Sequence, residues 1–168
     1  FAAVDFAKTE LQVGAFFLNH ASDLFIVPGF IASDALNNTT TLGRGGSDYT
    51  ASIFGAALEA DAIEIWTDVD GVMTADPRAV KSTFTLPAIS YVEAMELSHF
   101  GAKVIYPPTI QPVMQKNIPT WVKNTFAPNE AGTVITGASD QQGEIITGIS
   151  SINSIALYYH ATDLRRNR

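Results

Sequence analysis

The residues best suited to chemistry stand together in Thr39-Thr40-Thr41-Leu42-Gly43-Arg44-Gly45-Gly46-Ser47-Asp48-Tyr49-Thr50-Ala51. Hydroxyls lead into three glycines within four residues, with one guanidinium and one carboxylate, and the run passes straight into an alanine-rich helical pattern. Glycines let a backbone adopt positive φ and approach a ligand closely. The free amides at a helix start attract negative charge. Arg44 adds a planar fork suited to a carboxylate or phosphate. Arg44 and Asp48, four residues apart with opposite charge, could take the two ends of a zwitterion, the guanidinium on a carboxylate and Asp48 on an ammonium. A plain flexible turn capped by Ser47 is the competing reading, and the flanking charges weigh against it. The run is neither a Walker A sequence nor a dinucleotide fingerprint, because Asp48 fills the third glycine position.

A second group follows a strand-like run: Thr67-Asp68-Val69-Asp70-Gly71. Val72 and its apolar neighbours stand where a calcium loop needs oxygens, which excludes that motif. Two acids in a strand-end turn suit a ribose hydroxyl or magnesium, and a solvated turn equally well. Lys103, after Phe100-Gly101-Ala102, reads on its own as a lysine satisfying the last carbonyls of a helix. His20, His99 and His160 lack metal-ligand spacing, so no residue is assigned to a metal. Trp66 and Trp121, in apolar runs, are expected in the core.

The elements that must position these groups alternate between helix and strand. Apolar spacing predicts a helix from about Phe6 to His20, and Leu24-Phe25-Ile26-Val27, stopped by Pro28-Gly29, predicts a short buried strand. Phe30 to Asn38 reads as a loop. A helix capped by Ser47 or Gly46 is expected to run to about Ala60, followed by a strand over residues 62–67. Its carboxyl end is where open α/β sheets bind ligands. Pro77 fixes the loop Met73-Thr74-Ala75-Asp76-Pro77-Arg78. Ser90-Tyr91-Val92-Glu93 matches a capping box opening a helix to about Gly101. A strand at Lys103–Tyr106, a helix from Pro108 or Thr109 to Lys116, and strands at Trp121–Lys123 and Thr133–Ile135 complete the pattern. Beyond Gly137 the composition turns to Ser, Asp, Gln and Gly, the signature of a linker, before Ile149–Tyr159 begins what reads as the first strand of a second unit.

Composition bounds the partners. The chain has 168 residues, 46% of them hydrophobic, enough for one domain with a core. Seventeen acidic against ten basic side chains give a net charge of -7, which argues against a nucleic-acid binder. The longest apolar run is too short for a membrane span. No cysteine is present and no signal peptide is visible, so a cytoplasmic location is expected.

Taken in order, Thr40 to Ala51, then Trp66-Thr67-Asp68-Val69-Asp70-Gly71-Val72 with Asp76-Pro77-Arg78, then Phe100-Gly101-Ala102-Lys103-Val104 closely resemble aspartate kinase. Ser90 to Ala94 and Ile118-Pro119 with Lys123-Asn124-Thr125 extend the likeness, which covers roughly Leu24 to Ile135. The Glu64-Ile65-Trp66 and Gly148 to Asn153 wording is most similar to the kinase portion of proteins fused to homoserine dehydrogenase. The resemblance implies the amino-acid kinase fold, a three-layer αβα sandwich with a mostly parallel sheet, here its carboxy-terminal half. It implies ATP- and Mg2+-dependent phosphorylation of the side-chain carboxylate of L-aspartate, the first step towards lysine, threonine and methionine.

By position, Arg44 would hold the α-carboxylate. Ser47 and Asp48 would complete the aspartate site, and the Phe30 backbone would line it. Thr67 and Asp68 would meet the nucleotide, with Arg78, Lys103 and the Val104 backbone near its phosphates or base. Met73 replaces a tyrosine frequent in the family, and Tyr106 and Pro108 replace a histidine and a basic residue. Phosphoryl transfer needs positioning and charge neutralisation more than covalent help, so the lack of a Ser-His or Cys-His pair fits.

The resemblance divides the chain into a nucleotide-binding part at 1–136, a linker at 137–147 and the stub of a regulatory ACT domain with a tail at 148–168. The family's Lys-Phe-Gly-Gly-Thr-Ser motif is missing, so the chain reads as part of a longer enzyme, inactive alone, whose parent is a homo-oligomer through its regulatory domains. A non-catalytic small-anion or nucleotide module, or another kinase such as glutamate 5-kinase, are the alternatives, and Arg44 to Asp48 favours aspartate.

Overall fold

The structure, a computed structural model, describes residues 3–99, 104–137 and 147–151. The chain begins with helix α1 (Phe6–Asn19), close to its expected span. Its first turn is capped by the Asp5 carboxylate, which accepts from the Lys8 N–H at 3.0 Å. Val13 is its one fully buried side chain.

Leu24–Val27 departs from expectation, for it forms no strand, and Leu24 and Ile26 are 75% and 91% exposed. No described strand runs beside it, so its backbone has no ladder to join and its side chains no layer to enter. Within the expected loop the structure instead has a hairpin, β1 (Ile31–Ser33) against β2 (Thr39–Thr41), antiparallel with Ala32 opposite Thr40. Asp34 closes it, accepting from the N–H groups of Leu36 and Asn38 and from the Asn38 amide.

Helix α2 (Gly46–Ala57) follows, then β3 (Ile63–Thr67), β4 (Ala88–Ser90), α3 (Tyr91–His99), α4 (Pro107–Lys116), β5 (Thr120–Asn124) and β6 (Thr133–Thr136). The strand expected at 103–106 is not formed by the described part, Val104–Tyr106, which turns into α4. Prolines at the first two positions of α4 need no N–H acceptor there. The capping box is built as expected: Ser90 Oγ accepts from the Glu93 N–H at 3.2 Å, and Glu93 Oε2 accepts from the Ser90 N–H at 2.7 Å. The chain beyond Ser151, with most of the expected linker and second unit, lies outside the described residues.

The four larger-sheet strands run in the order β3-β5-β6-β4, with β3/β5 and β4/β6 parallel and β5/β6 antiparallel. The α/β class with a mostly parallel sheet is therefore as expected. Alternation along the strands sends Ile63, Ile65, Val122, Ile135 and Ile89 into one core with Ile110, Val113, Leu86 and Tyr91. The opposite face carries Glu64, Trp66, Trp121 and Lys123. Trp66 is 44% exposed rather than buried, because its register places it on that face. There the Lys123 ammonium lies over both indoles, 5.2 Å from the Trp66 ring and 5.7 Å from the Trp121 ring, and pairs with Glu64 at 2.6 Å.

Helices α2 and α4 lie side by side and run in the same direction. Tyr106 meets Gly45 near both starts, Ser52 donates to the Thr109 carbonyl midway, and Lys116 pairs with Glu59 near both ends. Each then turns back through a short connection into β3 or β5. Both helix starts consequently face the end of the sheet where these parallel strands terminate.

Candidate functional site

The site grows from the turn before α2. Gly45 occupies the N-cap position at φ +72°, in the left-handed region, and provides no side-chain acceptor. Any side chain there would also collide with Tyr106, whose Cβ lies 2.4 Å from where a Gly45 Cβ would be. The sequence expectation of a Ser47 or Gly46 cap is thus corrected by one residue, for the cap is a bare glycine. The Gly46 N–H donates back to the Gly43 carbonyl at 3.0 Å. No described acceptor takes the amides of Ser47 and Asp48, which point from the helix start as donors.

Around these amides, Arg44 and Ser47 are exposed and Asp48 is half-buried. Burial raises the Asp48 carboxyl above its ordinary value of 3.8. Among the described residues neither Arg44 nor Asp48 forms an ion pair. The backbone of Phe30 is drawn to the same place. Its N–H donates to Thr50 Oγ1 at 2.9 Å, and its carbonyl accepts from the Leu42 N–H at 2.9 Å. A Cβ on the preceding Gly29 would lie 3.0 Å from the Ser47 Cα, so the chain passes in contact with the first turn of α2. Phe30, Ser47 and Asp48 are thereby brought together from segments separated by the hairpin, with Arg44 in the turn between.

The second group lies at the end of β3. Thr67 Oγ1 donates to Asp68 Oδ1 at 3.2 Å, and both residues reach solvent. Asp70 accepts from the Asn124 amide at 2.6 Å, which ties the turn to the end of β5. Gly71, at φ +129°, has no room for a side chain beside Thr133. From there Val72–Thr74 pairs antiparallel with Phe84–Leu86, placing half-buried Met73 opposite Thr85. Arg78 is exposed, but its guanidinium is engaged by Asp76, with Nη2 at 2.7 Å and Nε at 3.0 Å. That carboxylate holds its pKa above the ordinary value. Any phosphate reaching Arg78 would share it with Asp76. Val104 packs its side chain against the core. Lys103 lies outside the described residues.

The structure thus places Phe30, Arg44, Ser47 and Asp48 at the start of α2 and Thr67 and Asp68 at the carboxyl end of β3, while Met73 and Arg78 lie in the loop that follows and Val104 precedes α4. Sequence reasoning missed Thr50 and Asn124, the side chains that anchor each group. Each is a short hydrogen-bonding side chain beside an element end, a pattern that declares itself only once its partner twenty or more residues away is known. A cleft of about 610 Å3 between α1, the hairpin and α2, lined by Lys8, Val13, Ile31, Leu42 and Ile53 among others, touches the first group only through its anchor Thr50.

Among the described residues no three His, Cys, Asp or Glu side chains cluster to hold a metal. No described helix is long and apolar enough to cross a membrane.

Known proteins share much of this sequence and fold. Residues 8–124 match the model of the amino acid kinase family. Over 158 residues the chain is 45% identical to a bifunctional aspartokinase/homoserine dehydrogenase of Haemophilus influenzae, covering 94% of this chain and 19% of that protein. It is 41% identical to aspartokinase 1 of Bacillus subtilis, covering 83% and 35%. The chain thus spans about a fifth to a third of the length of these relatives.

Among solved structures, aspartate kinase from Clostridium acetobutylicum superposes with a TM-score of 0.75 at 39% identity, over 88% of this chain and 34% of that one. Aspartokinase III of E. coli, solved with aspartate and ADP, gives 0.64 at 43% identity, over 67% and 25%. On the family match over most of its length, this chain belongs to the amino acid kinase family.

Proposed function

We propose that the chain is the nucleotide-binding part of an aspartate kinase, which transfers phosphate from ATP to the side-chain carboxylate of L-aspartate in amino-acid biosynthesis. The observation that carries this reading is the group at the start of α2. The donor amides of the first turn, the Arg44 guanidinium in the turn before it and the half-buried Asp48 carboxylate all belong to five consecutive residues and offer charges of both signs, as an amino-acid zwitterion requires. It is supported by the relative solved with both aspartate and ADP.

In this reading Arg44 binds the α-carboxylate, and Asp48 takes the ammonium. Ser47 and the Phe30 backbone close the amino-acid half. Thr67, Asp68, Met73, Arg78, Lys103 and the Val104 backbone serve the nucleotide. Magnesium would arrive on the nucleotide phosphates, since that ion keeps most of its waters and needs only one or two protein carboxylates. Asp68, exposed at the end of β3, fits that role. Residues 1–136 form the nucleotide-binding part of the catalytic domain, 137–147 a linker and 148–168 the start of a regulatory unit through which the parent oligomerises. A cytoplasmic enzyme is part of the same reading. Turnover by the 168-residue chain alone is expected to be absent, because the Lys-Phe-Gly-Gly-Thr-Ser segment that faces the transferring phosphate in the family is not in its sequence.

Calorimetric titration of the chain with MgATP and with L-aspartate tests the proposal. Arg44→Glu should weaken aspartate binding roughly a hundredfold, because a charge-assisted pair is replaced by repulsion. The same variant should leave MgATP binding unchanged, and Asp68→Ala should do the reverse. A wild-type chain that binds neither ligand would sink the proposal.

A further inference from the structure

We propose that Thr50 is a positioning residue for the amino-acid half of the site: its hydroxyl holds the Phe30 backbone against the first turn of α2, and aspartate affinity depends on that hold. The inference rests on the aspartate reading above and adds to it a residue that itself touches no ligand.

Phe30 is the reason a hold is needed. Its φ of +74° lies in the left-handed region, which a bulky aromatic residue seldom adopts and leaves when unsupported. Two contacts keep it there. On one side its carbonyl accepts from the Leu42 N–H at 2.9 Å, and on the other its N–H donates to Thr50 Oγ1 at 2.9 Å. The Thr50 hydroxyl is 2.7 Å from the Gly46 carbonyl, to which it gives its single proton. A hydroxyl has one proton and two lone pairs, so spending the proton on Gly46 obliges it to accept from Phe30. Thr50 is only 8% exposed, although its side chain also lines the cleft between α1, the hairpin and α2.

The consequence reaches the ligand groups. Gly46 is the first residue of α2, and a Cβ there would stand 2.9 Å from the Phe30 ring and 3.3 Å from its Cα. Gly29 is equally close to Ser47. The segment Gly29-Phe30 and the turn Gly45-Ser47 are therefore one wall, and Thr50, from the next turn of the helix, is the peg that joins them. Valine at this position keeps the shape and removes both hydrogen bonds. The Phe30 amide would then lack a partner, and the strained φ would lose one of its two supports. Relaxation of φ to negative values swings the Phe30 backbone away from Ser47 without altering Arg44 or Asp48.

The test compares wild type, Thr50→Val and Thr50→Ser by titration with L-aspartate and, separately, with MgATP, alongside hydrogen exchange of the Phe30 amide. Thr50→Val is expected to weaken aspartate binding about tenfold, the effect of roughly one buried hydrogen bond. It should speed exchange of the Phe30 amide and leave MgATP affinity unchanged. Thr50→Ser, which retains the hydroxyl, should restore both aspartate affinity and slow exchange, whereas a role resting on the methyl group alone would spare Thr50→Val, which keeps a methyl there, and damage Thr50→Ser. If Thr50→Val does not fold, Thr50→Ala removes the hydroxyl in a smaller side chain and carries the same expectation. Equal aspartate affinity in wild type and Thr50→Val overturns the positioning role alone. Absence of aspartate binding in wild type overturns the aspartate reading, and the positioning role with it.

Discussion

Two regions of this molecule hold their apolar residues in opposite ways. From Ala3 to Gly45, Val13 and Leu42 are the buried large hydrophobes, while Leu11, Leu18, Leu24, Ile26 and Leu36 are each at least 75% exposed. From Gly46 to Gly137 the side chains of Ile89, Ile110, Val113, Val122 and Ile135 have no measurable exposure. The second region carries its own core, and the first leans on it through α1 and the hairpin. The two halves of the candidate site divide along the same line. The nucleotide group stands on the sheet, while the amino-acid group sits at the seam, with Phe30 from one region and Ser47 and Asp48 from the other. Stability and aspartate binding should accordingly respond to different substitutions.

The broadest way to break that contrast is truncation on either side of it. Ile135→Ala removes a fully buried side chain from the middle of the sheet and should cost about 3 to 4 kcal/mol in urea unfolding. Ile26→Ala, at a site 91% exposed, should change stability by less than about 0.5 kcal/mol. Similar losses from the two variants would mean that the first region has a core of its own.

The next effect is at the seam. Gly45→Ala imposes a left-handed φ on an alanine, worth roughly 1 to 2 kcal/mol, and drives its Cβ into Tyr106. A loss of about 2 kcal/mol or more is expected, together with weaker aspartate binding, because the turn carrying Arg44 must shift. Unchanged aspartate affinity in a folded Gly45→Ala chain would separate the turn from the site.

How far each region was legible in the sequence follows the same division. In the second region local signals agree with tertiary ones: the Ser90–Glu93 box, the prolines opening α4 and the apolar β3 and β5 runs all formed close to where they were expected. Trp66 was misplaced because an apolar run does not reveal which of its faces the helices will cover. Ala88–Ser90 is too short to carry a period. In the first region Leu24–Val27 has the composition of a buried strand, but composition cannot supply the neighbouring strand. The hairpin was hidden in a hydroxyl-rich run without the usual Asn-Gly turn. The charged members of the site were legible by type and spacing. Their anchors, Thr50 and Asn124, depend on partners distant in sequence.

A smaller effect tests the independence of the second region. Ser90→Ala removes the acceptor for the Glu93 N–H and one of the groups holding the Glu93 carboxylate, and should cost about 1 kcal/mol by urea unfolding. Because α3 lies away from the α2 turn, aspartate affinity should be unaltered. A shift in affinity would show that the capping box and the amino-acid group are coupled across the core.

The smallest expected effect is also the one specific to the seam, and it is a matter of pH. Burial raises the Asp48 carboxyl in the folded chain above its ordinary value of 3.8, so between those two values the folded state binds more protons than the unfolded state. Stability contributed by this group therefore falls as pH rises from about 3.8 through the raised value, and is level above it. Asp48→Asn should remove that slope, as seen by comparing thermal melts of the two chains across the acid range. Aspartate binding should run the other way. If Asp48 receives the substrate ammonium, the ionised carboxylate is the binding form, so affinity should climb with pH over the window in which stability declines. Subtracting the Asp48→Asn profile removes the titration of the ligand's own carboxyls. A difference profile with no upward limb would leave Asp48 a half-buried acid that the site tolerates and does not use.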